Sequence, residues 1–192
     1  FDWYSDHRER FNWRSDDRPF DKTFTIDDTG LFNDAPFIEY TDYIQAILEN
    51  YLGHRLHPTY NMGRVYNKGI KMEKHIDRAP CQVSITLPIA YRPMNWPINI
   101  DSKKGTREVQ QHVGDMLLYK GCEVLHYRKE NTIADIQYQH YFHFIDIDTE
   151  EGAYMYQFSD EHLLTPDFWP YSFAKMKQQG ILPELTDQNK RK

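Results

Sequence analysis

The stretch KHIDRAP, residues 74–80, places His75 and Asp77 two positions apart near the middle of the chain. The spacing alone carries little information, because a chain of 192 residues with nine histidines and 18 aspartates contains such a pair by chance. On a β-strand, however, residues i and i+2 point to the same side. An imidazole and a carboxylate on one face could bind the same metal ion, so the structural context of the pair decides its meaning.

The sequence around this pair is typical of short β-strands. Segments after Gly53 are rich in β-branched and aromatic residues and are separated by Gly, Pro, Asn and Asp. Seven such segments predict an antiparallel sandwich or barrel. They are TYNMGRVYN, CQVSITLPIA, WPINID, EVQQHVG, MLLYKG, CEVLHYR and DIQYQHYFHFIDI.

Helices are predicted on both sides of these strands. Asp34 can cap the first helix, Pro36 suits its first turn, and Gly53 suits its end. A weaker helical pattern covers residues 170–180, and residues 22–26 (KTFTI) predict one more strand. Apolar residues at helical spacing predict that the first helix packs on the sheet. They are Phe37, Tyr40, Ile44, Ile47, Leu48, Tyr51 and Leu52.

Composition limits the classes of function. The length and a hydrophobic content of 40% predict a single domain, residues 1–192, with a real core. The net charge of −6 and the lack of a long basic run argue against a nucleic-acid partner. The chain lacks an apolar stretch long enough for a membrane span. Two cysteines, Cys81 and Cys122, favour free buried thiols in a reducing compartment, so we expect a cytoplasmic protein.

A second histidine is needed to complete an iron-binding set of two histidines and one carboxylate. The candidates are His112, His126, His140 and His143. We favour His126, which ends the segment GDMLLYKGCEVLHYR (114–128), a turn followed by two strands. Because His140 and His143 would lie on opposite faces of one strand, they are predicted not to serve one site.

The order of these motifs resembles that of the 2-oxoglutarate and Fe(II)-dependent oxygenases. Their hallmark is H-x-D…H on a double-stranded β-helix, a jelly-roll fold shared with the cupins. The segment GRVYNKGIKMEKHID is most similar to the prolyl 4-hydroxylase-like branch, in which a strand ending in Tyr, a turn with Gly and H-x-D follow one another. The segments WPINID and GDMLLYKGCEVLHYR also resemble small members from bacteriophages and marine bacteria. The resemblance covers roughly residues 58–146.

The resemblance implies a fold, a reaction and its cofactors. The fold would be mainly β with flanking helices, with a cover and helix at 1–57, a jelly-roll core at about 58–148 and an extension at 149–192. His75, Asp77 and His126 would bind Fe(II), with 2-oxoglutarate and O2 as co-substrates. The reaction would hydroxylate a peptidyl, amino-acid or other small substrate and release succinate and CO2.

One feature departs from the family pattern. The family usually places Arg or Lys about ten residues after the last iron-binding histidine, where it grips the far carboxylate of 2-oxoglutarate. Residues 136–146 contain neither. We therefore expect Arg128, on the same face as His126, to supply the charge, with Tyr66 and Gln139 adding hydrogen bonds.

The missing cation leaves two alternatives open. The first is a cupin-like enzyme that uses the same metal ligands without 2-oxoglutarate. The second is a non-catalytic β-sandwich that binds a partner through its sheet.

Overall fold

The computed structural model describes residues 29–32, 35–158, 169–184 and 186, and the side chains from residue 37 onwards. The strand predicted at 22–26 and the cap predicted at Asp34 lie outside this part of the chain. The strands are β1 (Thr29–Phe32), β2 (Leu56–Asn67), β3 (Met72–His75), β4 (Val83–Pro93), β5 (Ile98–Ser102), β6 (Gly105–Val109), β7 (Leu117–Tyr119), β8 (His126–Arg128) and β9 (Ala134–Asp146). The helices are α1 (Ala35–Leu52), α2 (Glu150–Tyr156) and α3 (Phe173–Gln179), and Ala79–Cys81 form a single 3-10 turn.

The strands form two antiparallel sheets. One sheet has the order β1-β2-β9-β4-β7 and the other has the order β3-β8-β5-β6. From β2 to β9 the chain passes repeatedly between the sheets, so strands distant in sequence become neighbours. This arrangement confirms the predicted fold class, a double-stranded β-helix with flanking helices. The prediction that residues 1–192 form one domain is untested and stays a prediction.

Strand β9 shows how the larger sheet separates two kinds of environment. Its even-numbered residues Phe142 and Phe144 are buried in an apolar cluster with Ile44 and Leu48 of α1. Its odd-numbered residue Tyr141 is buried on the opposite face, with residues of β2 and β3. The period of two in this strand therefore produces an outer face under the helix and an inner face towards the second sheet.

Helix α1 begins at Ala35 and ends next to Gly53, whose φ of +72° suits a helix terminus. Ile44 and Leu48 are buried, as predicted. The predicted contact face was too wide, because Tyr40 and Tyr51 are 58% and 76% exposed. A helix on a nearly flat sheet buries only a narrow stripe, and these tyrosines lie outside it.

The C-terminal helices support the segment that follows Asp77. Trp169, Phe173 and Met176 pack with Ala79 and with Met155 of α2 in a separate apolar cluster. The backbone N–H of Ala79 also donates to the carbonyl of Tyr171, at 3.0 Å. The turn after Asp77 is thereby packed against the C-terminal segment, which lies outside the two sheets. No helix in the described part of the chain is both long and apolar enough to cross a membrane.

Candidate active site

Three predicted metal ligands meet at one end of the smaller sheet. His75 ends β3, and His126 begins β8 as its direct cross-strand partner. The carboxylate oxygen Oδ1 of Asp77 lies 3.6 Å from Nε2 of His75 and 3.4 Å from Nε2 of His126. The two imidazole rings are 4.3 Å apart between centroids. Residues 75 and 126 therefore face one point although 51 positions separate them in the sequence.

Backbone carbonyl groups orient both imidazoles. Nδ1 of His75 lies 2.7 Å from the carbonyl oxygen of Glu73, and Nδ1 of His126 lies 2.9 Å from that of Val124. A carbonyl only accepts hydrogen bonds, so each Nδ1 carries the proton and donates it. Both Nε2 atoms therefore face Asp77 and are the nitrogens that a metal ion would bind, the arrangement found in metal-binding histidines.

Asp77 is held by its backbone and by the close approach of a glycine. Its N–H donates to the carbonyl of Gly121 at 2.8 Å, and Ser84 Oγ lies 3.3 Å from its Oδ2. A Cβ atom on Gly121 would lie only 2.3 Å from that Oδ2, so any side chain at position 121 would displace the carboxylate or the loop. Burial alone raises the pKa of Asp77, but the imidazoles, chiefly His126, outweigh burial and hold this pKa well below its usual range. Asp77 is therefore ionised.

These three residues line a cavity of about 180 Å³ between the sheets. Its walls are rich in tyrosine, and its mouth is bordered by the segment that precedes α3. Among the lining residues are Tyr60, Met62, Arg64 and Tyr66 of β2, Tyr119 of β7, Tyr141 and His143 of β9, Cys81, Arg78, Pro170 and Tyr171. The cavity thus combines metal-ligating side chains with cationic and hydroxyl groups.

Arg128, the predicted binder of a carboxylate, is a buried cation. It is 1% exposed and lies on the same face of β8 as His126. Its Nη1 donates to the carbonyl of Trp96, and its guanidinium lies 5.2 Å from the centre of the Trp96 ring. Its Nε and Nη2 have no hydrogen-bond partner among the described residues. A buried cation with two open donors is suited to bind an anion.

The other two predicted co-substrate contacts differ in their surroundings. Tyr66 lines the cavity, and its hydroxyl lies 2.8 Å from that of Tyr141. Gln139 is fully buried, donates to Thr86 Oγ1 at 2.6 Å and accepts from Gln137 at 2.9 Å. The amide of Gln139 is therefore already committed to neighbours within the sheet.

Sequence reasoning missed three cavity residues. Arg64 lies opposite Gln139 in the β2–β9 register, is 1% exposed and lines the cavity. Its position two residues before Tyr66 is a signal that could have found it, since both share the inner face. Cys81 and His143 line the same cavity, whereas the sequence predicts Cys81 only as a free buried thiol and favours His126 over His143 as the second histidine. Both cysteines are free, as predicted, although Cys122 is only half-buried.

The strand order and the His-Asp-His cluster define a class of protein, the double-stranded β-helix proteins with a candidate metal site between the sheets. No model of a known protein family matches the sequence, and no curated protein is detectably similar to it.

Solved structures of this class are similar to the chain at low sequence identity. A prolyl-4-hydroxylase from Pseudomonas putida has a TM-score of 0.53 and 15% identity, covering 74% of this chain and 83% of that one. HygX from Streptomyces hygroscopicus, solved with nickel, 2-oxoglutarate and hygromycin B, has a TM-score of 0.53 and 10% identity, covering 74% and 76%. The α-ketoglutarate-dependent epimerase SnoN has a TM-score of 0.51 and 9% identity, covering 62% and 61%. The chain thus has the fold of the 2-oxoglutarate and Fe(II)-dependent oxygenases, and a prolyl 4-hydroxylase is among its structural neighbours.

Proposed function

We propose that this chain is an Fe(II)- and 2-oxoglutarate-dependent dioxygenase that hydroxylates a small-molecule or peptidyl substrate with release of succinate and CO2. The observation that carries the proposal is the convergence of His75, Asp77 and His126 on one point of a cavity. Two imidazole Nε2 atoms and one ionised carboxylate match the donor set of non-haem iron sites. When bound, Fe(II) would supply the activation of O2 that amino-acid side chains cannot perform.

A buried cation on the same strand as His126 suits a dicarboxylate co-substrate, although Arg128 itself is not among the residues that line the cavity. Arg128 follows His126 by two residues, a rise of roughly 7 Å along the strand. Its open Nε and Nη2 donors fit a carboxylate group, because burying such donors without a partner costs about 1–3 kcal/mol each. We therefore assign Arg128 to the far carboxylate of 2-oxoglutarate and Tyr66 to a neighbouring hydrogen bond. Gln139 acts through Thr86, by keeping β9 and β4 in place.

The remaining side chains shape the reaction space. Arg64 and Arg78 contribute two guanidinium groups to the cavity wall, so the interior attracts anions although the whole chain carries a net charge of −6. Tyr119 packs edge-on against the ring of His126, with centroids 4.9 Å apart, and keeps that imidazole in position. Pro170 and Tyr171 border the cavity mouth and would restrict water and select the substrate.

The test is anaerobic titration of the purified chain with Fe(II), in the presence and absence of 2-oxoglutarate. We expect a visible charge-transfer band that requires both components and disappears in His126→Ala. Arg128→Gln should weaken 2-oxoglutarate binding at least roughly tenfold with little change in Fe(II) affinity, because a charge-assisted bond is lost. Lys129→Gln, which changes an exposed neighbouring cation, is the matched control.

Each alternative predicts a different result in this titration. Fe(II) binding without a 2-oxoglutarate-dependent band would support a cupin-like enzyme with another co-substrate. Absence of metal binding would support a non-catalytic sandwich. If Arg64→Gln weakened 2-oxoglutarate binding and Arg128→Gln did not, the dioxygenase proposal would survive with Arg64 in the anchoring role.

A further inference from the structure

A second group of metal-ligating side chains lies beside the first in the same cavity. Asp77, Cys81 and His143 each offer one ligand atom, and these atoms all lie within 4.8 Å of one another. Asp77 belongs to both groups. Its Oδ1 faces the two imidazoles of the first group, whereas its Oδ2 lies on the side of Ser84, whose hydroxyl contacts His143. The two groups thus lie on different sides of one carboxylate.

The contact with Ser84 determines which nitrogen of His143 carries the proton. Its Nδ1 lies 2.9 Å from Ser84 Oγ. The single proton of the Ser84 hydroxyl has two acceptors nearby, Asp77 Oδ2 at 3.3 Å and the carbonyl of Cys81 at 3.2 Å. His143 Nδ1 therefore carries a proton and donates to Ser84. The lone pair is then on Nε2, the nitrogen that a metal ion would bind.

The sulfur of Cys81 also has a neighbour that suits coordination. The Tyr60 hydroxyl lies 3.0 Å from the sulfur, and a tyrosine hydroxyl can donate to a metal-bound thiolate. Burial raises the pKa of the Cys81 thiol above its ordinary value, so the thiol stays protonated without a cation. Metal binding would form the metal–sulfur bond as the S–H bond breaks, with the proton released to solvent.

We propose that Asp77, Cys81 and His143 form a second divalent-cation site, which prefers thiophilic metals such as Zn(II) and shares Asp77 with the first site. A thiolate, an imidazole and a carboxylate are the ligand types that tetrahedral zinc prefers, whereas the first site offers only nitrogen and oxygen donors. Occupation of the second site would draw the shared carboxylate away from His75 and His126. The second site does not depend on the proposed oxygenase activity, because its three ligand residues are close together whatever reaction the cavity performs.

Anaerobic titration with Co(II) tests the second site, because thiolate–cobalt bonds absorb strongly in the near ultraviolet and imidazole–cobalt bonds do not. We expect a saturable near-ultraviolet band in the wild-type chain that is lost in Cys81→Ser. The band should persist in Cys122→Ser, the matched control, since the chain has two cysteines. It should also persist in His75→Ala, which removes a ligand of the first site only. Zn(II) should displace the cobalt and abolish the band.

A second variant, at His143, keeps the test decisive even if Cys81→Ser does not fold. His143→Gln should keep the sulfur but weaken the cobalt affinity measured at the near-ultraviolet band by at least roughly tenfold. Loss of a hydrogen bond to a metal ligand already has an effect of about that size, and this variant loses a ligand itself. Circular dichroism of each variant establishes that it is folded. The proposal would be overturned by the absence of the band in the wild type, by its survival in folded Cys81→Ser, or by an unchanged cobalt affinity in His143→Gln. Loss of the band in folded His75→Ala would show that Cys81 binds a metal ion held by His75, and would overturn the proposal of a separate site as well.

Discussion

Two buried histidines of β9 show the difference between the two faces of the larger sheet. His140 lies on the outer face, where its Nδ1 is 3.2 Å from the Tyr138 hydroxyl and its Nε2 is 3.1 Å from Asn61 Oδ1. Its ring also stacks on Phe37, with centroids 3.8 Å apart. His143 lies on the inner face, where its Nδ1 is 2.9 Å from Ser84 Oγ. Burial lowers the pKa of both, to about 3 for His140 and about 4 for His143.

The two histidines have similar burial and protonation, so neither property separates structural from functional groups. The hydrogen-bond partners of the ring nitrogens distinguish the two histidines. Within the described part of the chain, both nitrogens of His140 have hydrogen-bond partners, whereas His143 has one at Nδ1. Arg128 has two open donors. Because burying a polar group without a partner destabilises the fold, groups left open in a cavity are candidates for ligand binding.

The largest expected effect removes the shared carboxylate of the inner face. Asp77→Ala should weaken Fe(II) binding by more than about 100-fold, because the variant loses a ligand and not merely an outer contact. Isothermal titration calorimetry under anaerobic conditions measures the affinity. Asp101→Ala, which changes a carboxylate paired with Lys74 outside the cavity, is the control. Unchanged Fe(II) affinity in Asp77→Ala would show that Asp77 is not a metal ligand.

The next effect concerns the outer face alone. Phe142 is 0% exposed and belongs to the apolar cluster beneath α1. Phe142→Ala should lower the free energy of unfolding by about 3–5 kcal/mol through the cavity it creates. Urea denaturation measures this loss, and the folded variant should bind Fe(II) as the wild type does. A large change in Fe(II) affinity would contradict the separation of the two faces.

A smaller effect is expected from crowding the carboxylate. Gly121→Ala places a Cβ within 2.3 Å of Asp77 Oδ2, so the carboxylate or the loop must move. We expect Fe(II) affinity to fall roughly 10–100-fold, the range for a displaced contact next to a metal ligand. Glu123→Ala in the same loop is exposed and should leave the affinity unchanged. Equal Fe(II) affinities for the two variants would show that the close contact between Gly121 and Asp77 does not affect metal binding.

The smallest effect is a pH dependence that belongs to the outer face. Burial lowers the pKa of folded His140 to about 3, against about 6.5 in an unfolded chain. Between these values the unfolded state binds the additional proton, so stability is full above pH 6.5 and falls as the pH falls towards 3. The contribution of one such histidine is about 1.4 kcal/mol per pH unit.

Urea denaturation between pH 6 and pH 4 measures this contribution. The slope of unfolding free energy against pH should be smaller in His140→Gln than in the wild type, by about 1.4 kcal/mol per pH unit. His143 titrates in the same window, so the variant should keep part of the slope. Identical slopes would show that His140 is not held neutral by the fold.

The sequence by itself determined the local structure and the donor types of the candidate metal site. The period of two in β9 and the apolar spacing in α1 predict these elements, because each pattern reflects contacts within a few residues. The pair His75 and Asp77 could be placed on one side for the same reason. The choice of His126 depended on its turn-and-strand context and on the resemblance to a known family.

Only the tertiary structure decided which side chains share the cavity. Arg64 and Gln139 lie opposite each other through the register of β2 and β9, which joins residues 75 positions apart. Cys81 and His143 meet at Asp77 because β4 and β9 pair and the turn after Asp77 is held against α3. Such distances result from strand pairing across long stretches of chain. Local patterns contain no information about them, since any one strand could pair in several registers.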